Sequence, residues 1–65
     1  MHIVANQIPR ELPSNSRLTD LLVMIEAVPP YAVAVNLQFV PKTRHADYIL
    51  QENDQVEIIA PVTGG

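Results

Sequence analysis

The only two glycines of this 65-residue chain are its last two residues, Gly64 and Gly65. Glycine lacks Cβ, so two in a row can lie flush in a narrow channel and take torsions closed to other residues. The α-carboxyl group that ends such a chain has an ordinary pKa of about 3.3–3.7 and is ionised near neutrality. It is a poor electrophile, because oxide is a poor leaving group, so chemistry at Gly65 requires that its carboxylate first be activated. Four residues beyond Pro61, at about 3.3–3.6 Å each, carry that carboxylate roughly 13–14 Å from a folded body. This reach suits threading of Pro61, Val62, Thr63 and Gly64 into the active site of a partner. A frayed end also collects small residues, and that is the bland alternative. The other reactive side chains offer little competition. There is no cysteine, hence no disulfide, no thiolate metal site and no thiol nucleophile. His2 and His45 are too few and too far apart to argue for a metal site, and none is expected. Ser14, Ser16 and Asp20 bring no nucleophile elbow, and helix capping explains Ser16 more simply. Tyr48 reads as a packed ring with its hydroxyl bonded nearby. The chain is expected to be no enzyme itself.

Such a terminus needs a rigid body behind it. At 65 residues, with 48% hydrophobic and 17% charged residues, the composition predicts one small domain over 1–65, with 61–65 as an extended, flexible tail. The formal net charge is −3, with only Arg10, Arg17, Lys42 and Arg44 as cations. Nucleic-acid binding needs a concentrated basic face, so no nucleic-acid partner is expected. No segment approaches the roughly 20 apolar residues that span a bilayer; no membrane partner and a cytoplasmic location are the expectations.

Along the chain, His2–Ala5 is a short β-prone run, Asn6-Gln7 has turn character, and Ile8 to Leu12 returns as an antiparallel strand. Pro9 cannot donate to a ladder, which puts that strand at a sheet edge. Leu18, Leu21, Leu22 and Ile25 recur at helical spacing, predicting a helix over roughly 17–28, capped by Ser16 and ended by Pro29-Pro30. Ala32–Val35 reads as a third strand, Asn36-Leu37-Gln38 as a tight connection, Phe39-Val40 as a short strand stopped by Pro41, and Val56–Ala60 as the last strand, with no clean period over 42–50. The expected core is Ile3, Ala5, Leu12, Leu18, Leu21, Leu22, Ile25, Val33, Val35, Val40, Leu50, Val56 and Ile58.

One helix cannot cover both faces of such a sheet, so the second face must meet solvent or a partner. Alternation sets Val56, Ile58 and Ala60 on one side of the last strand and Glu57, Ile59 and Pro61 on the other. An ionised Glu57 is costly to bury unpaired, so Ile59 and Pro61 face outward with it, and Phe39 joins them across the exposed sheet. Ordering four tail residues costs about 1–2 kcal/mol each, whereas burying an apolar side chain against a partner contributes about 1.5–3 kcal/mol. A docking surface of Ile59, Glu57 and Phe39 would therefore offset much of the cost of threading the tail. Singly exposed apolar residues are common, and that is the alternative reading of these side chains.

The order ββαβββ ending in Gly-Gly resembles the α+β, ubiquitin-like β-grasp fold, a mixed five-stranded sheet packed on one helix. Leu12-Pro13, Asn36-x-x-x-Val40-Pro41-Lys42, His45-Ala46, Asn53-Asp54-x-Val56-Glu57-Ile58-Ile59 and Gly64-Gly65 together resemble the ThiS family, the sulfur carriers of thiamine biosynthesis. Two features depart from that pattern: Glu52-Asn53-Asp54 replaces the usual Asp-Gly-Asp turn, and the 60–65 tail is closer to that of molybdopterin-synthase small subunits. The short link between helix and third strand favours ThiS. The resemblance implies that a ThiF-like, ATP-dependent adenylyltransferase of the ubiquitin-activating type converts the Gly65 carboxylate to an acyl-adenylate. Sulfur from a persulfide enzyme would then displace AMP, and the Gly65 thiocarboxylate would donate sulfur to a ThiG-like thiazole synthase. No cofactor is expected on the chain itself, since ATP is used by the activating enzyme. A small subunit of molybdopterin synthase, and a ubiquitin-like modifier or binding module, are the alternatives.

Overall fold

The computed structural model describes residues 1–60. Its elements are β1 (His2–Ala5), β2 (Ile8–Glu11), α1 (Leu18–Met24), β3 (Ala32–Val35), β4 (Gln38–Val40), a 3₁₀ turn over Lys42–Arg44, and β5 (Gln55–Ile59). The five strands form one sheet in the order β2-β1-β5-β3-β4. β5 runs parallel to β1 and antiparallel to β3, and both hairpins are antiparallel. The last strand in sequence is therefore the central strand in space. Of the two edge strands, β2 carries Pro9, which limits further pairing at that edge, and β4 is stopped by Pro41 after three residues.

Both hairpins turn through two residues at positive φ, Asn6-Gln7 at 50° and 67° and Asn36-Leu37 at 51° and 68°. That is the backbone sign of a type I′ turn, whose twist matches the flanking strands. Gln38 consequently belongs to β4 and not to the connection. Three other residues take positive φ, Asn15, Glu26 and Asn53, so all four asparagines of the sequence stand in the left-handed region. Asparagine tolerates this region better than most residues. The body thus makes its tight turns without glycine.

The helix is shorter than its apolar period suggests. It ends at Met24, four residues before 28, in a Schellman arrangement: the Glu26 N–H donates to the Val23 carbonyl at 3.1 Å and the Ala27 N–H to the Leu22 carbonyl at 3.0 Å, with Glu26 at φ 56°. These bonds satisfy the terminal carbonyls before Pro29-Pro30 is reached. At the other end Arg17, not Ser16, holds the N-cap position, and the Asp20 carboxylate accepts from the Arg17 N–H at 2.8 Å. The Ser16 hydroxyl is turned away, donating to the Pro13 carbonyl at 2.7 Å. Ser16 is buried because its segment pairs with 48–50: Leu18 N–H donates to Tyr48 O and Leu50 N–H to Ser16 O, both at 2.9 Å, around an Arg17–Ile49 bridge. The stretch without a clean period is thereby tied to the start of the helix.

Leu18, Leu21 and Leu22 of α1 pack on Ile3, Ala5, Val33, Val35 and Val56 of the sheet, with Leu12, Val40 and Leu50 closing the core. Ile25 and Ile58 are only partly buried, because Ile25 sits where the helix stops and Ile58 where β5 runs past the end of β1. Ala60, expected to face inward, is exposed and lies outside β5.

Candidate functional site

The residues Pro61, Val62, Thr63, Gly64 and Gly65 lie outside the described residues. The structure does place the strand that leads to them. β5 is held from both sides by hairpin-tip asparagines. The Asn6 side-chain oxygen accepts from the Ile58 N–H at 2.8 Å, just where β1 has ended and offers no backbone partner. On the other side, the Asn36 side-chain oxygen accepts from the Gln55 N–H at 3.0 Å. The central strand is thus pinned at its start and near its end, and points Ala60 away from a fixed frame.

At the start of β5 a buried carboxylate completes the clamp. Asp54 accepts from the Asn36 side-chain amide at 2.9 Å and from the Gln51 N–H at 2.8 Å. Hydrogen bonds to an ionised carboxylate are the stronger kind. Burial raises the pKa of the neighbouring Tyr48 hydroxyl above its ordinary value, and the negative charge of Asp54 pushes it further the same way. Tyr48 packs against the core. His45 is also buried; its Nε2 lies 3.0 Å from the Val40 carbonyl, and its ring stacks with Tyr31 at 6.3 Å and 12°. A carbonyl only accepts, so that nitrogen carries the proton. His2 lies instead beside Glu11, at 3.4 Å. Among the described residues no group of three His, Cys, Asp or Glu could hold a metal ion, and no helix is long and apolar enough to cross a membrane.

The outer face of the sheet carries the three surface residues singled out from sequence. Glu57 is exposed, Ile59 is 55% exposed and Phe39 is 68% exposed. Register brings them together: Ala34 of β3 sits between Glu57 and Phe39, and Ala32 pairs with Ile59. Two strand spacings and two residues separate Phe39 from Ile59, about 12 Å between their backbones. The alanines between them are small, so the larger side chains stand above the sheet surface.

Some features of this region escape a linear reading. Leu37, at the β3–β4 turn, is 87% exposed despite its apolar side chain and positive φ. The partnership of Asn36 with Asp54 spans 18 residues, and no local period announces it. An exposed hollow of about 230 Å³ opens beside β4, between Phe39 and Tyr48.

No curated protein matches the sequence. The crystal structure of a thiamine biosynthesis protein (ThiS) from Geobacter metallireducens superposes at a TM-score of 0.84, covering 100% of each chain. The two sequences are 19% identical, so the likeness is one of fold. The ThiS family model matches residues 3–65, a span that takes in the Asn36–Asp54 clamp, the buried His45 and the terminal Gly64-Gly65. With the β-grasp order of strands around a central β5, this match shows that the chain belongs to the ThiS family of ubiquitin-like sulfur carriers.

Proposed function

We propose that this protein carries sulfur for thiamine biosynthesis as a thiocarboxylate on Gly65. In this reading a ThiF-like adenylyltransferase uses ATP to convert the Gly65 carboxylate to an acyl-adenylate, releasing pyrophosphate. The terminal sulfur of a persulfide enzyme then attacks the acyl carbon and expels AMP, and a thiol reductant cleaves the S–S bond of the resulting acyl disulfide to free the thiocarboxylate. The thiocarboxylate delivers sulfur to a ThiG-like thiazole synthase. The protein acts as co-substrate and not as catalyst. Pro61, Val62, Thr63 and Gly64 thread the partner's channel, where a side chain on Gly64 or Gly65 would obstruct the reacting carbonyl. Ile59 and Phe39 dock on the partner beside Glu57. The observation that carries the reading is the family match running through to Gly65. It is supported by the clamping of the central strand that leads to residues 61–65.

Incubation with ATP, a cognate adenylyltransferase and a sulfur donor should raise the intact mass by the replacement of one oxygen with sulfur, located at Gly65. Unchanged mass with active partner enzymes would refute the carrier role, and adducts on other proteins would indicate a modifier instead. The sequence of the 60–65 tail favours one second reading, the small subunit of molybdopterin synthase, which uses the same terminal chemistry. Rescue of cells lacking each pathway's carrier separates the two.

A further inference from the structure

We infer that the free edge of β4 is a second docking element, which receives an extended segment of the activating enzyme as an added strand and seats one of its apolar side chains in the adjoining hollow. This rests on the carrier reading and names a contact that the outer sheet face does not supply. In a two-residue hairpin the closing pair, Val35 and Gln38, exchanges hydrogen bonds, the next pair does not, and the third pair does. Ala34 and Phe39 form that middle pair. The Phe39 N–H and C=O therefore point away from β3, toward the open side of the sheet, where no strand lies among the described residues. An unpaired N–H and C=O on one edge residue are the groups by which an extended peptide adds to a sheet.

The hollow of about 230 Å³ lies beside this edge. Val35, Val40, Pro41 and Tyr48 give it apolar walls, and Arg44 and Asp47 contribute polar groups. Neither Arg44 nor Asp47 forms an ion pair among the described residues, so both remain available to polar groups of the incoming segment. An extended strand places alternate side chains on opposite faces. One of them can enter the hollow while its neighbours lie toward Phe39, which is 68% exposed.

Position supplies the identity of the occupant. Since Val33 pairs with Val40 and Ala32 with Ile59, Pro41 lies across β3 from Ile59. The C-terminal end of β4 is therefore about 10 Å, two strand spacings, from the strand that feeds the tail. An enzyme that takes in residues 61–65 comes up against this end of the sheet. Its surface then meets the β4 edge next to Phe39. A second copy of this chain would not gain comparably, because it could offer only β2, which carries Pro9 and lacks that residue's donor, or another three-residue β4.

Amide exchange of the protein, alone and saturated with its adenylyltransferase, tests the inference directly. The Phe39 amide should exchange at least tenfold more slowly in the complex, while the amide of Asn15, exposed before α1 at the end of the sheet away from the tail, should keep its rate. A Phe39 amide that exchanges in the complex as fast as in the free protein overturns the added strand. Paired substitutions separate backbone from side chain: Phe39→Ala keeps the N–H, whereas Phe39→Pro removes it. Phe39→Pro should raise the Kd for the enzyme about fivefold beyond Phe39→Ala, the scale of one lost hydrogen bond; equal Kd values overturn the inference. Were Phe39→Pro not to fold, the exchange measurement on the unaltered protein still decides. Failure of the unaltered protein to bind the enzyme at all would overturn the carrier reading and this inference together. Binding with an unprotected Phe39 would overturn the inference alone.

Discussion

The two faces of the sheet are built from the same five strands and do opposite work. On β5, Val56 is 1% exposed and Ile59 is 55% exposed, although both are β-branched and three residues apart. On the hairpin beside it, Val33, Val35 and Val40 are buried while Phe39 is 68% exposed. The inner face holds the fold, since nearly every apolar contact with α1 is made there. The outer face could lose its large side chains with little loss of stability. Hydrophobicity alone does not separate the two roles in this chain; strand parity does.

Breaking the inner face should have the largest effect. Leu21, fully buried on α1, should cost about 2–5 kcal/mol on Leu21→Ala. In so small a domain that approaches the whole stability, and urea titration measures it. A loss below about 1 kcal/mol would mean that the inner face is not the core. The matching substitutions on the outer face, Ile59→Ala and Phe39→Ala, should each change stability by less than about 0.5 kcal/mol. In adenylylation kinetics, however, each should raise KM by an amount that reflects part of the roughly 1.5–3 kcal/mol of a buried apolar side chain. Unchanged KM in both would remove the docking role. Asp54→Ala strands the Gln51 N–H and the Asn36 amide inside the clamp, and should cost about 1–3 kcal/mol by thermal unfolding. Asp54→Asn, which keeps an acceptor for one of them, should recover part of it. The smallest effect belongs to a residue on neither face. Leu37→Gly relieves a left-handed backbone without removing a buried side chain, and should stabilise the protein by up to about 1 kcal/mol. Any destabilisation would show that Leu37 makes a contact its exposure does not suggest.

The parity of β1, β3 and β5 was legible because each strand alternates buried with less buried residues through its length. Pro9 announced an edge strand for the same kind of local reason: a missing donor excludes a central place. The limits of α1 were not legible. Leu18, Leu21, Leu22 and Ile25 continue the helical period to 25, but the Glu26 turn captures the last carbonyls first, and glutamate gives no sequence signal for a left-handed residue. Ser16 looked like a cap because its type suits one, yet pairing of its segment with 48–50 turned its hydroxyl to Pro13. At the candidate site, Ile59, Glu57 and Phe39 followed from alternation and the cost of burying a charge. The hollow beside β4 did not, because its walls come from β3, β4 and the 44–48 segment at once.

The amino-acid sequence by itself determined the two hairpins, the inward and outward sides of each strand, and the pair of glycines at the chain end. These depend on neighbours in the chain, through torsional freedom and side-chain period. Only the tertiary structure decided that the last strand lies at the centre of the sheet, that Asn6 and Asn36 clamp it from opposite sides, and that Asp54 is buried to complete the grip. Such contacts join residues 18 to 52 positions apart, and their free energy arises only when the whole sheet closes.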